Sequence, residues 1–361
     1  MKYQLPVKVF DFFSGCGGTC RGFLNVGMHI VSGLDNDPDA GRTFKQNFPG
    51  THFIQEDIKS VQCESLQPLV DDCRGHPILF SGCAPCQPFT KQKTSHRADD
   101  NRQTLLNEFL RFVKFYEVEF IFIENVPGLQ RIDNGDGPFR MLISTLDKLR
   151  YKYKFEVIAS QSYGVPQMRR RLVLIASRLG DIDFPKQTHG PSYCSKYSTV
   201  RDWIADLPPI HAGETHPIVP NHRAAALSPI NLKRIQSVKV GEDRRSWPEP
   251  LTLNCHANGY PGHTDVYGRM RWDAPATGLT TRCISLSNGR FGHPEQNRAI
   301  SVREAARLQT FPNSFIFTGS LNAMARQIGN AVPVLLAERF GRNFVQHLID
   351  VQGERTASGK V

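Results

Sequence analysis

The chain has 361 residues, 40% of them hydrophobic, enough for one large domain and a smaller one. Lys and Arg number 44 against 34 Asp and Glu, a net charge of +10 that favours a polyanionic partner such as nucleic acid and equally fits a merely basic enzyme. No apolar run approaches the roughly 20 residues of a membrane span, the opening MKYQLPVKVF lacks a signal-peptide core, and nine irregularly spaced cysteines do not form a disulfide framework. The expectation is an intracellular protein with reduced thiols.

From residue 7 onward, short apolar runs alternate with helical stretches. VKVFDFF, HIVSGLD, HPILFSG and EFIFIENV read as strands, with helices over 38–47, 60–72 and 103–117. That alternation predicts an α/β fold, a mainly parallel sheet covered by helices on both faces. KFEVIAS and RRLVLIAS bracket the loop QSYGVPQM and predict a closing hairpin at the sheet edge. After residue 179 prolines multiply (Pro185, Pro191, Pro208, Pro209, Pro217, Pro220) and periodicity fades, which reads as a second, irregular domain. Its centre carries Arg223, Lys233, Arg234, Lys239, Arg244 and Arg245, with Ser228 and Pro229 placed to start a short helix. A solvated basic face explains those charges as readily as a nucleic-acid surface does.

Regularity returns at SVRE, residues 301–304, a capping box opening a helix that must stop before Pro312. A last helix starts near Pro333, where Leu336, Phe340, Phe344 and Leu348 recur at spacing four and need a sheet to cover. The expected division is a first domain over 1–178, a smaller irregular domain over 179–300, and a segment 301–361 that returns to the first.

Strand ends carry the candidate chemistry, as expected where α/β sheets bind ligands. The first runs into DFFSGCGGTCRG, a Gly-rich turn that lets backbone approach a nucleotide; counting G-x-G-x-x-G from Gly15 and Gly17 lands on Cys20, so the dinucleotide fingerprint fails. The second ends at Asp35, twenty residues after Gly15, where a carboxylate can accept both ribose hydroxyls of an adenosine, whether in NAD or S-adenosylmethionine. Asp57 follows a third strand and could meet an adenine amino group. Either acid could instead cap a helix or face solvent. The fourth and fifth strands deliver Cys86, in SGCAPCQPFT, and Glu124. A carboxyl emerging from a buried strand suits a proton donor, or is simply paired to a nearby arginine. A thiol and an acid at neighbouring strand ends suggest covalent catalysis on an electron-poor ring.

With DFFSGCGG, PCQPF, ENV, VPQMRRR and QIGNAVP in order, the chain resembles the DNA cytosine-5 methyltransferase family over nearly everything except about 179–270. The resemblance implies a Rossmann-like S-adenosyl-L-methionine-dependent sheet with an inserted target-recognition domain. It makes Cys86 the nucleophile at cytosine C6, Glu124 the group on N3, and Arg171 the holder of O2 with Arg169 supporting the pocket. For the cofactor it implies Phe13, Gly15, Gly17, Asp35, Asn36, Asp57, Ile58, Pro85, Leu105 and Asn330. For DNA it implies Gln87, Thr90 and Arg102 beside the nucleophile, and Arg223, Lys233, Arg234, Arg244 and Arg245 in the insert. The target base must be flipped out of the duplex to reach a thiol. The implied setting is a monomer without metal in the bacterial cytoplasm, nucleoid-associated through double-stranded DNA, beside a restriction endonuclease acting on the same site.

Other readings remain open. Cys83 and Cys86 form C-A-P-C, a thiol–disulfide spacing, although a redox site explains neither Glu124 nor the arginine string. Met168, Arg170 and the SGCAPCQPF lead-in depart from the commoner family pattern without removing a catalytic atom. The tRNA-methylating branch of the superfamily shares PCQPFT, and a DNA-binding module without catalysis is the non-enzymatic alternative.

Overall fold

A computed structural model describes residues 3–84, 105–129, 137–193, 195–256, 262 and 264–358. Its frame is a seven-stranded sheet whose first strands follow the predicted alternation: β1 (Lys8–Phe12), α1 (Gly18–Asn25), β2 (His29–Leu34), α2 (Pro38–Asn47) and β3 (His52–Ile54). The helix expected over 60–72 is shorter, a tight turn at Cys63–Leu66 followed by α3 (Gln67–Asp71), with Pro68 in its first turn. Then come β4 (Ile78–Gly82), α4 (Leu105–Tyr116), β5 (Phe120–Asn125), α5 (Pro138–Lys148) and β6 (Lys152–Ala159). A two-residue strand β7 (Gln167–Met168) precedes β8 (Arg170–Ser177).

The sheet order is β3-β2-β1-β4-β5-β8-β6. The first four pairings are parallel, and β8 runs antiparallel to both neighbours, pairing Val157 with Leu172 and Glu124 with Val173. The predicted edge hairpin is therefore present. Strands β4 and β5 are buried along their whole length, the condition that lets parallel strands read as continuous apolar runs. Phe12 stacks edge-on against Phe80 and Phe109 at 5.1 and 5.4 Å between ring centres, tying sheet to α4.

The backbone divides into two compact units, one of Met1–Ala159, Arg170–Lys186 and Val334–Val361, the other of Ser160–Arg169 and Gln187–Pro333. Relative to the 1–178, 179–300 and 301–361 division, the loop before β8 and residues 301–333 group with the second unit. In the first unit, α10 (Val334–Ser358) lies on α1 so closely that a Cβ at Gly22 would sit 2.4 Å from the Val334 carbonyl oxygen. Its Phe340 and Phe344 meet Phe122 and Phe120 of β5, and Leu336, Phe340, Phe344 and Leu348 are all fully buried.

The second unit holds α6 (Val200–Ile204), α7 (Pro229–Gln236), the two-residue β9 (Ala276–Thr277) paired with β7, α8 (Val302–Leu308) and α9 (Leu321–Asn330). Ser228 caps α7 by accepting from Asn231 N, with Pro229 in its first turn. The Ser301–Glu304 capping box forms in both directions, and α8 ends before Pro312. Ile235, Val238, Trp247, Val266, Tyr267, Leu286 and Ala299 make a small core. Around it, buried arginines take the place of sheet ladders. Arg269 donates to the carbonyls of Ile235, Val238, His293 and Gln296 at 2.6–2.9 Å. Arg303 does the same for Pro220, Pro312 and Phe315. Among the described residues no helix is long and apolar enough to cross a membrane.

Candidate active site

In the first unit, the chain leaves β1 through a turn that only glycines tolerate easily. Gly15 and Gly17 have φ of +54° and +94°, and Phe13 itself lies at +58°, a conformation uncommon for an aromatic residue and worth a functional question. A Cβ at Gly17 would meet the Phe48 ring at 2.3 Å, whereas one at Gly15 would meet nothing within 4 Å, so this turn faces open space. Across it stands Asp35, just past β2. Its Oδ2 accepts from Gly15 N and its Oδ1 from Asp37 N, each at 2.8 Å. Burial pushes this carboxyl above its ordinary value, against the pull of those two amides. Asn36 beside it is exposed.

Asp57 is exposed and accepts from Lys59 N at 3.0 Å, so part of its capacity serves the local turn; Ile58 is buried. Leu105 opens α4 and is half-buried. Pro85, Cys86, Gln87, Thr90 and Arg102 lie outside the described residues.

Strand pairing brings the remaining chemistry together. Because β8 is antiparallel to β5, Arg171 arrives beside Glu124, with Nε 2.8 Å from Oε1. Both are mostly buried, the side chains 18% and 9% exposed, and the contact is an ion pair without a hydrogen bond to Oε1. Here the pairing of a strand-end acid with an arginine and the predicted site coincide in the same two residues. Next to Glu124, Asn125 donates to the Ala84 carbonyl at 3.0 Å. This ties the end of β5 to the segment that leads, two residues later, to Cys86. The Cys83 thiol is pushed well up by burial and by the nearby Glu124 charge. A thiol so held is a poor thiolate, which argues against the redox reading of C-A-P-C.

One buried acid in this unit had escaped the sequence reading. Asp11 of β1 accepts from the Cys20 thiol at 3.1 Å, and burial pushes its carboxyl up to about 7. The Ser81 hydroxyl, like the Cys20 thiol, pulls against that shift. The only sequence signal was an acid inside an apolar strand.

In the second unit, Arg169 is buried and donates to the carbonyls of Leu279 and Gly329 at 2.9 and 3.0 Å, so its guanidinium braces backbone. Asn330 ends α9 and is exposed. The basic cluster of the insert separates into two groups. Arg234 and Arg244 are buried: Arg234 donates to the Leu251 carbonyl and lies over the Trp247 ring, and Arg244 donates to the Gly262 carbonyl. Arg245 is exposed but bound to Asp243 through two 2.8 Å contacts. Arg223, Lys233 and Lys239 are exposed. Charge counted along the sequence thus overstated the charge available to a ligand, because guanidinium groups here satisfy buried carbonyls.

Comparison with known proteins follows the same lines. The profile of the family described as C-5 cytosine-specific DNA methylase matches residues 7–346. The type II methylase M.HgiDII of Herpetosiphon aurantiacus is 40% identical over 94% of this chain and 95% of its own length. The type II methyltransferase M1.HphI of Haemophilus parahaemolyticus is 34% identical over 93% of this chain and 86% of its own. A putative DNA modification methyltransferase encoded within an Escherichia coli prophage, 22% identical, matches 96% of this chain and 100% of its own with a TM-score of 0.73, a likeness of fold. The chain belongs to the C-5 cytosine-specific DNA methylase family and is an enzyme, a DNA cytosine-5 methyltransferase.

Proposed function

We propose that the protein transfers a methyl group from S-adenosyl-L-methionine to C5 of a flipped-out cytosine, at one short sequence in double-stranded DNA, as the modification partner of a restriction endonuclease. The observation that carries this reading is the Glu124–Arg171 pair, held at the end of β5 beside the strand that leads to Cys86. The names of the relatives, both type II methylases, support the restriction setting.

Cytosine C5 is too weak a nucleophile to take a methyl group unaided, so the Cys86 thiolate adds to C6 first. Glu124 holds a proton or hydrogen bond at N3 and Arg171 holds O2, drawing electron density toward the heteroatoms as the C6–S bond forms. In this reading Arg169 supports the site by bracing the Leu279 and Gly329 carbonyls. When bound, S-adenosyl-L-methionine supplies the methyl group that C5 takes up. Loss of the C5 proton then breaks the C6–S bond, restores the ring and releases the thiolate. The residues fit this donor: Asp35 is already fixed by Gly15 and Asp37, where it can accept ribose hydroxyls, and the Gly15 turn faces open space. Phe13, Gly17, Asn36, Asp57, Ile58, Pro85, Leu105 and Asn330 complete the proposed cofactor set.

Bisulfite sequencing of unmethylated plasmid, after incubation with the protein and S-adenosyl-L-methionine, tests the reading. Protected cytosines should fall at one motif and vanish with Cys86→Ser. Duplex containing 5-fluorocytosine should trap the wild type covalently and leave that variant free. Glu124→Gln should lower the methylation rate by about 10²–10⁴-fold, the usual worth of a placed proton donor. Full protection by Cys86→Ser would overturn the mechanism, and methylation of tRNA with no protected plasmid cytosine would overturn the substrate.

A further inference from the structure

In the second unit, residues 279–283 form a turn that presents Arg282. Cys283 N donates to the Thr280 carbonyl at 3.1 Å and Arg282 N to Thr280 Oγ1 at 3.3 Å. Both ends of the turn are anchored, with Leu279 and Cys283 buried. Leu279 is further held on both backbone groups, its N–H by Gln167 Oε1 and its carbonyl by the Arg169 guanidinium. Gly329 presses against the tip from α9, so close that a Cβ there would lie 2.2 Å from the Thr280 carbonyl oxygen. Only Thr281 and Arg282 of this turn are exposed.

Other arginines in this unit are neutralised: Arg201 by Asp273, Arg245 and Arg290 by Asp243, Arg298 by Glu304 and Arg307 by Asp206. Arg282 has neither an ion pair nor a side-chain hydrogen bond among the described residues. Nor does the sequence place an acid near it. No Asp or Glu occurs between Asp273 and Glu295, which includes the turn, or between Glu304 and Glu338, which includes α9 beneath it. An unpaired guanidinium on a braced turn, in a stretch of chain without acids, is ready to take an oxyanion in bidentate fashion, with little further ordering of the backbone.

We propose that Arg282 is a phosphate contact for the DNA substrate, a positioning residue that carries affinity without reading sequence. This rests on the function proposed above, which supplies the polyanion. The test compares the full-length wild type, Arg282→Gln and Arg282→Lys for binding to duplexes with and without the recognition motif, across a salt series, with S-adenosyl-L-methionine affinity measured alongside. Arg282→Gln should weaken binding equally on both duplexes and reduce the slope of log K against log salt by about 1. Arg282→Lys should keep the slope, and cofactor affinity should be the same in all three. An unchanged slope and affinity in Arg282→Gln, or a loss confined to the motif-bearing duplex, would overturn the proposal. A wild type that shows no salt-dependent binding to duplex DNA would instead overturn the functional reading beneath it.

Discussion

The two units satisfy their buried backbone groups by different means. In the first, backbone groups are satisfied within a seven-stranded ladder, the interior is apolar, and the buried ionisable side chains are acids near strand ends, Asp11 and Glu124. In the second, regular structure is sparse, so many carbonyls have no ladder partner, and guanidinium groups supply the missing donors. Arg169, Arg234, Arg244, Arg269, Arg298 and Arg303 are all buried there, whereas no arginine is buried in the first unit among the described residues. The lesson is that the net charge of +10 is partly a folding device and only partly an electrostatic footprint.

The sharpest way to break this comparison is Arg269→Met. It takes the guanidinium from four carbonyls and leaves those of Val238 and His293 without their donor, while Ile235 and Gln296 keep a backbone N–H, which should destabilise the second unit by about 3–5 kcal/mol. Arg269→Lys should not rescue it, because an ammonium lacks the planar fork. Hydrogen exchange should show protection lost around Ile235 and Val238 while β1 and β4 stay protected. Loss of comparable size in both units would mean that the guanidinium is not a local brace. In the first unit Phe109→Ala should cost about as much, by cavity formation in an apolar core.

The next largest effect is in pH. Asp11 has a folded value of about 7 against an ordinary 3.8, so the folded state holds a proton that the unfolded chain has lost. Its contribution is present below about pH 4, declines as pH rises and is gone above about 7, a span of about 4 kcal/mol. His293 of the second unit is pushed by burial down to about 4 from 6.5. Its contribution is present above about pH 6.5 and is lost as pH falls toward 4, a span of about 3 kcal/mol. Asp11→Asn should therefore flatten the loss of stability expected of the wild type between pH 4 and 7. Identical pH profiles for the two proteins would show that Asp11 titrates normally in the fold.

The smallest expected change distinguishes the exposed cations. Lys233→Gln should leave the melting temperature unchanged, and if Lys233 meets DNA it should reduce the salt slope of duplex binding by about 1. Arg245→Gln should alter neither by much, because Asp243 already takes its guanidinium. A larger salt effect from Arg245 than from Lys233 would reverse the division between structural and available charge drawn above.

Much of this was legible in the sequence because it depends on residues a few positions apart. The strand alternation, the edge hairpin, the Ser228–Pro229 start of α7, the Ser301–Glu304 box and the apolar face of α10 are all local patterns. Glu124 and Asp35 could be picked out because a strand end is a local feature with a known use. What only the tertiary structure decided was partnership. Arg269 meets carbonyls 24–34 residues away, Arg171 reaches Glu124 only because β8 runs antiparallel to β5, and the Arg282 turn is braced by Gly329 and Arg169 from distant segments. Whether an arginine serves a carbonyl, a carboxylate or a phosphate depends on which acceptors the folded chain brings within about 3 Å of it. A one-dimensional charge pattern carries no such distance.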